Sequence, residues 1–373
     1  MVATHDICIR GAGIVGQTLA LLLARERLRV ALVAPAQAAT EPDVRAYALN
    51  AASRALLESL RCWPAPTAAT PVTHMRVCGD AQGSVDFDAL ELGTEALAWI
   101  ADVATLEALL ADAVRFQPRI EVVREPMPAT LTVICEGRAS QSRAELGVEF
   151  DVTPYGQHAV ATRVRGRPHG QTAWQWFDGD EILAFLPLDG PQGDTVAVVW
   201  SMSEARAAAL ETEPDDAFCQ ALEAASHGRL GPLTLVAPRR HWPLQLARAR
   251  RWVGPGWALA GDAAHTVHPL TGQGLNLGLA DAAELARVIH EREYWRSLDD
   301  PKLLRRYERA RAADVWVTSG VTDAIQRLFT TPGEWARTLR NRGLGGFDRS
   351  GWIKQWVARR AINLDGARTL PPH

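Results

Sequence analysis

Two glycine-rich segments hold the residues best suited to chemistry. Gly11-Ala12-Gly13-Ile14-Val15-Gly16 has the spacing in which the first glycine allows a tight turn, the second lets backbone approach a pyrophosphate, and the third lets a helix pack on a sheet. The helix that follows would aim unpaired amides at the phosphates. The second segment is Gly261-Asp262-Ala263-Ala264-His265-Thr266-Val267-His268-Pro269-Leu270-Thr271-Gly272-Gln273-Gly274-Leu275-Asn276, an apolar strand end joined through a proline turn to a glycine-opened helix. Asp262 can accept a hydroxyl hydrogen bond there or cap the next turn. Pro269 sets a rigid turn, and residues 271–276 can present several free amides in a nest that stabilises negative charge. His265 and His268 read as structural hydrogen-bond partners rather than as catalysts. Between the two segments, Arg45 in Asp43-Val44-Arg45-Ala46-Tyr47-Ala48-Leu49 either pairs with a pyrophosphate through its planar fork or begins a helix at the surface. The chemistry indicated is the holding of a dinucleotide.

Positioning these loops requires a sheet with helices behind it. Residues 6–10 read as a buried strand, 14–25 as a helix and 28–35 as a second strand, which makes a β-α-β unit with a parallel sheet. Apolar residues recur at helical spacing over 45–60, and again over 99–116 with Leu106, Leu109, Leu110 and Val114 on neighbouring turns. Strands are expected at 72–77, 84–87 and 131–135. From 156 to 200 the pattern becomes strand-like, including Trp174-Gln175-Trp176-Phe177 and 183–188, with turns of glycine, aspartate and proline between. Helices are expected from 204 and over 217–225, a return strand at 257–260, and mostly helix from Gly274 onward. The fold class is α/β: a Rossmann-like domain from 1–70, 96–152 and 246–295, interleaved with a β-sheet domain from 71–95 and 153–245, then a helical region over 296–373.

The bulk properties set bounds on function. With 373 residues, 47% of them hydrophobic, the chain can bury a large core. A net charge of −3 gives no bulk reason to bind nucleic acid or anionic lipid. Five scattered cysteines without a Cys-x-x-Cys pair indicate reduced, packed thiols and no metal site. The N-terminus passes at once into a strand, without a signal core, and no apolar run approaches a membrane span, so a cytoplasmic protein is expected, soluble or peripheral at a membrane.

Taken together, the two glycine motifs and the Arg45 segment resemble those of the flavin-dependent aromatic hydroxylases of the para-hydroxybenzoate-hydroxylase superfamily, and most of all the flavin hydroxylases of ubiquinone biosynthesis. The resemblance runs on through Tyr155-Gly156-Gln157-His158-Ala159, through 174–188, and into Tyr307-Glu308-Arg309 and Arg340-Asn341-Arg342-Gly343-Leu344. It implies FAD, with Gly11, Gly13, Gly16, Arg45, Asp262, Gly272, Gly274, Leu275 and Asn276 around it and Pro269, Gly272 and Gln273 nearest the flavin. Catalytic side chains are not assigned. It also implies dioxygen, NAD(P)H or another electron donor, and hydroxylation of a polyprenylated phenol through a flavin C4a-hydroperoxide, chemistry that the cofactor carries while the protein positions and shields it.

The chain departs from that pattern at three places. Ala34 stands where an acidic side chain would meet a ribose. Glu136, in Cys135-Glu136-Gly137-Arg138-Ala139-Ser140, replaces the family's aspartate with a longer arm, and the connection over 124–132 is short. Trp174, Trp176, Phe177 and Phe185 are read either as an apolar wall opposite the flavin or as ordinary sheet core. The stretch 352–362 reads as an amphipathic basic helix that either rests on a membrane, docks to a biosynthetic complex or packs on its own domain. Two alternatives stay open: the same fold acting on a soluble phenol, and a non-catalytic complex subunit with weakened FAD binding.

Overall fold

The computed structural model describes residues 4–34, 44–79, 83–267 and 273–330, with side chains described as far as 316. Hydrophobic strand residues set the first layer. His5–Arg10 lies at the heart of a six-stranded sheet, flanked by Val30–Val33 and Ile120–Val123 on one side and by Ala129–Ile134, Trp257–Leu259 and Val253–Gly254 on the other. Its pairings are parallel, except that Val253–Gly254 runs antiparallel at the edge. The helix Ile14–Arg25 is buried over nearly all its length because it packs against both Val103–Arg115 and Gln273–His290. An all-round apolar sequence, Leu19-Ala20-Leu21-Leu22-Leu23-Ala24, is what such a central helix needs.

Two expected helices are shorter than their periodicity suggested. Residues 45–60 divide into the strand Ala46–Leu49 and the helix Ala51–Ser59, capped by Asn50, whose side chain accepts from the Ser53 amide at 2.9 Å. Likewise 99–116 divides into the strand Ala98–Asp102 and the helix Val103–Arg115, where Asp102 accepts from the Thr105 amide at 2.9 Å. In both, the cap marks the switch from a period of two to one of 3.6. The two strands pair with each other and Ala98–Asp102 pairs with Ala69–Val72, giving a small three-stranded sheet at the junction.

The third sheet has nine strands and is mostly antiparallel, built on the long strand Phe150–Arg165 and its partners Arg240–Ala249 and Thr195–Ser203. Alternation sorts its residues sharply. Trp174, Trp176, Phe185 and Trp200 face the helices Glu204–Thr212 and Asp215–Ala225 and pack with Leu210, Phe218 and Leu222. The opposite face carries small residues in lateral register: Ala161 opposite Val199, Val199 opposite Ala184, and Ala184 opposite Gln175. Among the described residues, no helix is long and apolar enough to cross a membrane, and no group of ligands could hold a metal ion. All five cysteines are free.

Candidate active site

The small-residue face of the large sheet and the glycine loops of the parallel sheet enclose one cavity of about 1240 Å³. Gly13, Asp262 and Gly274 border it on one side, and Ala184, Val199 and Ser201 on the other. Trp174 touches its edge, but Trp174, Trp176 and Phe185 belong to the helix-covered core. Of the aromatic group, Phe177 packs instead with Ile182 and Val77. Of the two readings of this group, ordinary core is thus the one that mostly holds, because alternation turns Trp176 and Phe185 into the helix-covered layer.

The glycines of the first loop serve two different needs. Gly11 has φ +112°, and a Cβ on it would lie 2.4 Å from the Cys135 carbonyl oxygen; one on Gly16 would lie 1.9 Å from the Gly11 oxygen. Protein packing alone requires both. At Gly13 a Cβ would meet nothing within 4 Å. Its openness faces the cavity. Gly13 caps the helix Ile14–Arg25 with no side-chain hydrogen bond, and the helix's first turn has no acidic residue, which leaves its positive end suited to an anion.

Gly261, with φ +64°, turns the second motif beside Val15, and Gly278 gives Val15 room from the other helix. Asp262 borders the cavity and is exposed to it, with the walls of the cavity partly enclosing its carboxyl. That enclosure raises its pKa, with His265, Arg138 and Arg45 pulling the other way. Arg45 lines the cavity and donates to the Tyr47 hydroxyl at 3.1 Å. Arg163 fixes its backbone: this side chain donates to the carbonyls of Val44 (3.1 Å) and Arg45 (3.3 Å) and pairs with Asp102 at 2.5 Å. Gln273, Gly274 and Leu275 border the cavity at a helix start. Asn276 is buried, with its side chain donating to the Ala48 carbonyl at 2.7 Å and accepting from the Asn50 amide and the Ser53 hydroxyl at 2.9 and 2.8 Å. It ties the helix Gln273–His290 to the Arg45 segment. Pro269 and Gly272, like the stretch 352–362, lie outside the described residues.

Sequence reasoning passed over several residues that hold this site. Beneath the second motif, Asp281 is fully buried and accepts from His265 Nε2 and Arg311 Nε, each at 2.7 Å. Burial alone would raise its pKa; the charges and hydrogen bonds of His265 and Arg311 hold it below the usual carboxylate range. An acid on an otherwise apolar helix face, Leu279-Ala280-Asp281-Ala282, was the available signal. Glu136 turns out to be structural. It accepts from the Ser140 hydroxyl (2.8 Å), the Ser142 amide (3.0 Å) and the Ser142 hydroxyl, and pairs with Arg10 at 3.2 Å.

Partial burial works to raise the Glu136 pKa, but these donors lower it overall. Its stabilising effect is therefore present above the ordinary glutamate range, about 4.3, and is lost as pH falls through the depressed value. Glu136→Gln should cost about 1–2 kcal/mol at neutral pH. Urea unfolding at pH 7 and pH 3 checks this, with the gap between parent and variant narrowing in acid.

Comparison with known proteins agrees with this geometry. The family described as FAD binding domain matches residues 76–319. Over 96% of this chain and 98% of the other, the sequence is 32% identical to a 3-demethoxyubiquinol 3-hydroxylase of Escherichia coli (strain K12). The chain belongs to the family of FAD-dependent hydroxylases. Ubiquinone hydroxylase UbiL of Rhodospirillum rubrum is 30% identical over 98% of this chain and 91% of its own. The crystal structure of the p-nitrophenol 4-monooxygenase PnpA from Pseudomonas putida DLL-E4 shares the fold, with a TM-score of 0.77 at 18% identity, covering 99% of this chain and 100% of that one. The residues of this hydroxylase fit the cofactor: the space a Cβ would fill at Gly13, the uncapped helix start and the cavity-facing Asp262 and Arg45 together suit a pyrophosphate and a polyol. Ala34 offers no carboxylate to a ribose, and its amide is engaged by the Val123 carbonyl at 2.9 Å.

Proposed function

We propose that this hydroxylase adds a hydroxyl to the ring of a polyprenylated phenol in ubiquinone biosynthesis. The cavity carries the reading. Beyond its loop end it is walled by Val72, Met75, Phe87, Leu97, Ile100 and Leu186, an apolar lining suited to a hydrophobic ring and tail. The names of the relatives support the same substrate class. FAD supplies the activation of dioxygen, with electrons from NAD(P)H or another donor.

The chain's own residues bind, orient and shield. Gly11 and Gly16 shape the loop, Gly13 admits the pyrophosphate, and Arg45 pairs with it. Asp262 would accept hydroxyl hydrogen bonds, while Gln273, Gly274 and Leu275, at the start of a helix that Asn276 anchors, would meet the flavin. The small face of the large sheet holds the ring, and the surrounding apolar walls exclude water. In this division 1–70, 96–152 and 246–295 serve the cofactor, and 71–95 and 153–245 the substrate. A membrane-resident substrate also favours peripheral association with a membrane or a biosynthetic complex.

Asp262→Asn separates cofactor binding from folding. Because Asp262 is exposed to the cavity in the apoprotein, the substitution should leave the apo melting temperature nearly unchanged. Loss of the negative charge, with an amide NH2 in place of one of the two acceptor oxygens, should weaken FAD binding about tenfold. Melting curves with and without FAD read both.

The reading as a whole is tested by the absorption spectrum of the purified protein, then by mass spectrometry of products after incubation with oxygen, NAD(P)H and phenols with and without prenyl tails. A bound flavin and hydroxylation of the tailed phenols alone is the expected result. Turnover of the untailed phenol only would overturn the substrate class, and failure to bind FAD would overturn the reading entirely.

A further inference from the structure

The last described helix, Pro301–Thr330, grips the underside of the second glycine motif at several points. The Tyr307 hydroxyl donates to the Leu259 carbonyl at 2.8 Å, in the strand that leads into the motif. Glu308 accepts from the Trp252 amide at 2.8 Å, and the Trp252 ring stacks on His265 with centroids 5.0 Å apart. Arg311, 6% exposed, reaches Asp281 through Nε at 2.7 Å and the Leu277 carbonyl through Nη2 at 3.3 Å. Asp281 hands the constraint on. One oxygen takes Arg311; the other accepts from His265 Nε2 at 2.7 Å and from the Gly261 amide at 2.9 Å. Gly261 is the left-handed residue whose turn sets the direction of Asp262.

We propose that Asp281 and Arg311 are positioning residues for the flavin, through which the last helix holds the Gly261 turn so that Asp262 faces the cavity. Neither residue borders the cavity. Their effect passes through the turn. Asp281 joins two elements that each need it: without Arg311 its charge is poorly matched in a buried place, and without Asp281 the Gly261 amide has lost its acceptor. Although His265 Nδ1 has no partner in it, a buried network of charge-assisted hydrogen bonds constrains the turn more narrowly than an apolar contact would. The last helix thus sets how tightly, and in what surroundings, FAD is held.

Two variants test this. Arg311→Lys keeps the charge but cannot reproduce the fork that reaches both Asp281 and the Leu277 carbonyl. Asp281→Asn combined with Arg311→Met removes the carboxylate and the guanidinium together, so that neither is left buried without the other. FAD is titrated into each apoprotein well below its melting temperature, and visible circular dichroism of the bound flavin is recorded. The double variant should bind FAD at least about tenfold more weakly, close to 1.4 kcal/mol, with an altered flavin dichroism, and Arg311→Lys should fall between it and the parent. Binding within about twofold of the parent in both folded variants, with parental dichroism, would overturn the proposal, and so would a loss of affinity accounted for by unfolding alone.

Discussion

Gly13→Ala should leave a folded apoprotein that binds FAD much more weakly than the parent. Gly13 has φ −76° and ψ −176°, a conformation open to any L-residue, and an added Cβ meets no protein atom within 4 Å. The methyl would instead occupy the space through which a pyrophosphate approaches the backbone. An intrusion of that size in a fitted site costs about 1–3 kcal/mol, or roughly tenfold to over a hundredfold in Kd. Alanine at either neighbouring glycine of the motif should behave in the opposite way. At Gly11 the new Cβ would strike the Cys135 carbonyl and at Gly16 the Gly11 carbonyl, and Gly11 also has φ +112°. Both would destabilise the apoprotein by about 3 kcal/mol or more. Equilibrium unfolding of the three apoproteins, beside FAD titration of those that fold, reads the contrast. If Gly13→Ala binds FAD as the parent does, the pyrophosphate does not lie against this loop.

Ala184→Trp should abolish hydroxylation while leaving flavin content unchanged. Ala184 lies on the cavity face of the large sheet, between Val199 and Gln175 in lateral register, and borders the open space rather than the helix-covered core. An indole there fills the volume assigned to the ring and displaces it from the reacting position. A displacement of about 1 Å is enough to cost on the order of a hundredfold in rate, so kcat/KM for a prenylated phenol should fall by at least about that factor. Ala184 belongs to the large sheet and not to the glycine loops, so the flavin absorbance per protein should match that of the parent. Unimpaired turnover would move the substrate out of this cavity.

Much of this architecture was legible because local chemistry is enough to state it. A strand, three spaced glycines and an apolar run from Leu19 to Ala24 have few solutions other than a β-α-β unit, and the observed helix, Ile14–Arg25, has the bounds that the pattern suggested. Strand and helix blurred where one apolar run served both. Over 45–60 and 99–116, Asn50 and Asp102 mark the switch, but a cap is one residue and competes with a period carried by many.

Face assignment was harder to read. Trp174-Gln175-Trp176-Phe177 says that two tryptophans share one side, and nothing local says which side. The helices Glu204–Thr212 and Asp215–Ala225, which claim that side, come later in the chain, so the choice is made by packing between distant elements.

The amino-acid sequence determined the class of this protein by itself: the glycine spacings read as a dinucleotide loop, and with the segments around Arg45 and Asp262 they carried the resemblance to flavin hydroxylases. Only the tertiary structure decided what supports them. Glu136 became a partner of Ser140, Ser142 and Arg10, Asn276 a tie to Ala48 and Asn50, and Arg163 and Arg311 struts beneath loops far away in the chain. The physical reason is that a ligand imposes its shape on short motifs, whereas a buried charge or amide takes whichever partner folding brings within about 3 Å of it, and that partner has no fixed distance along the chain.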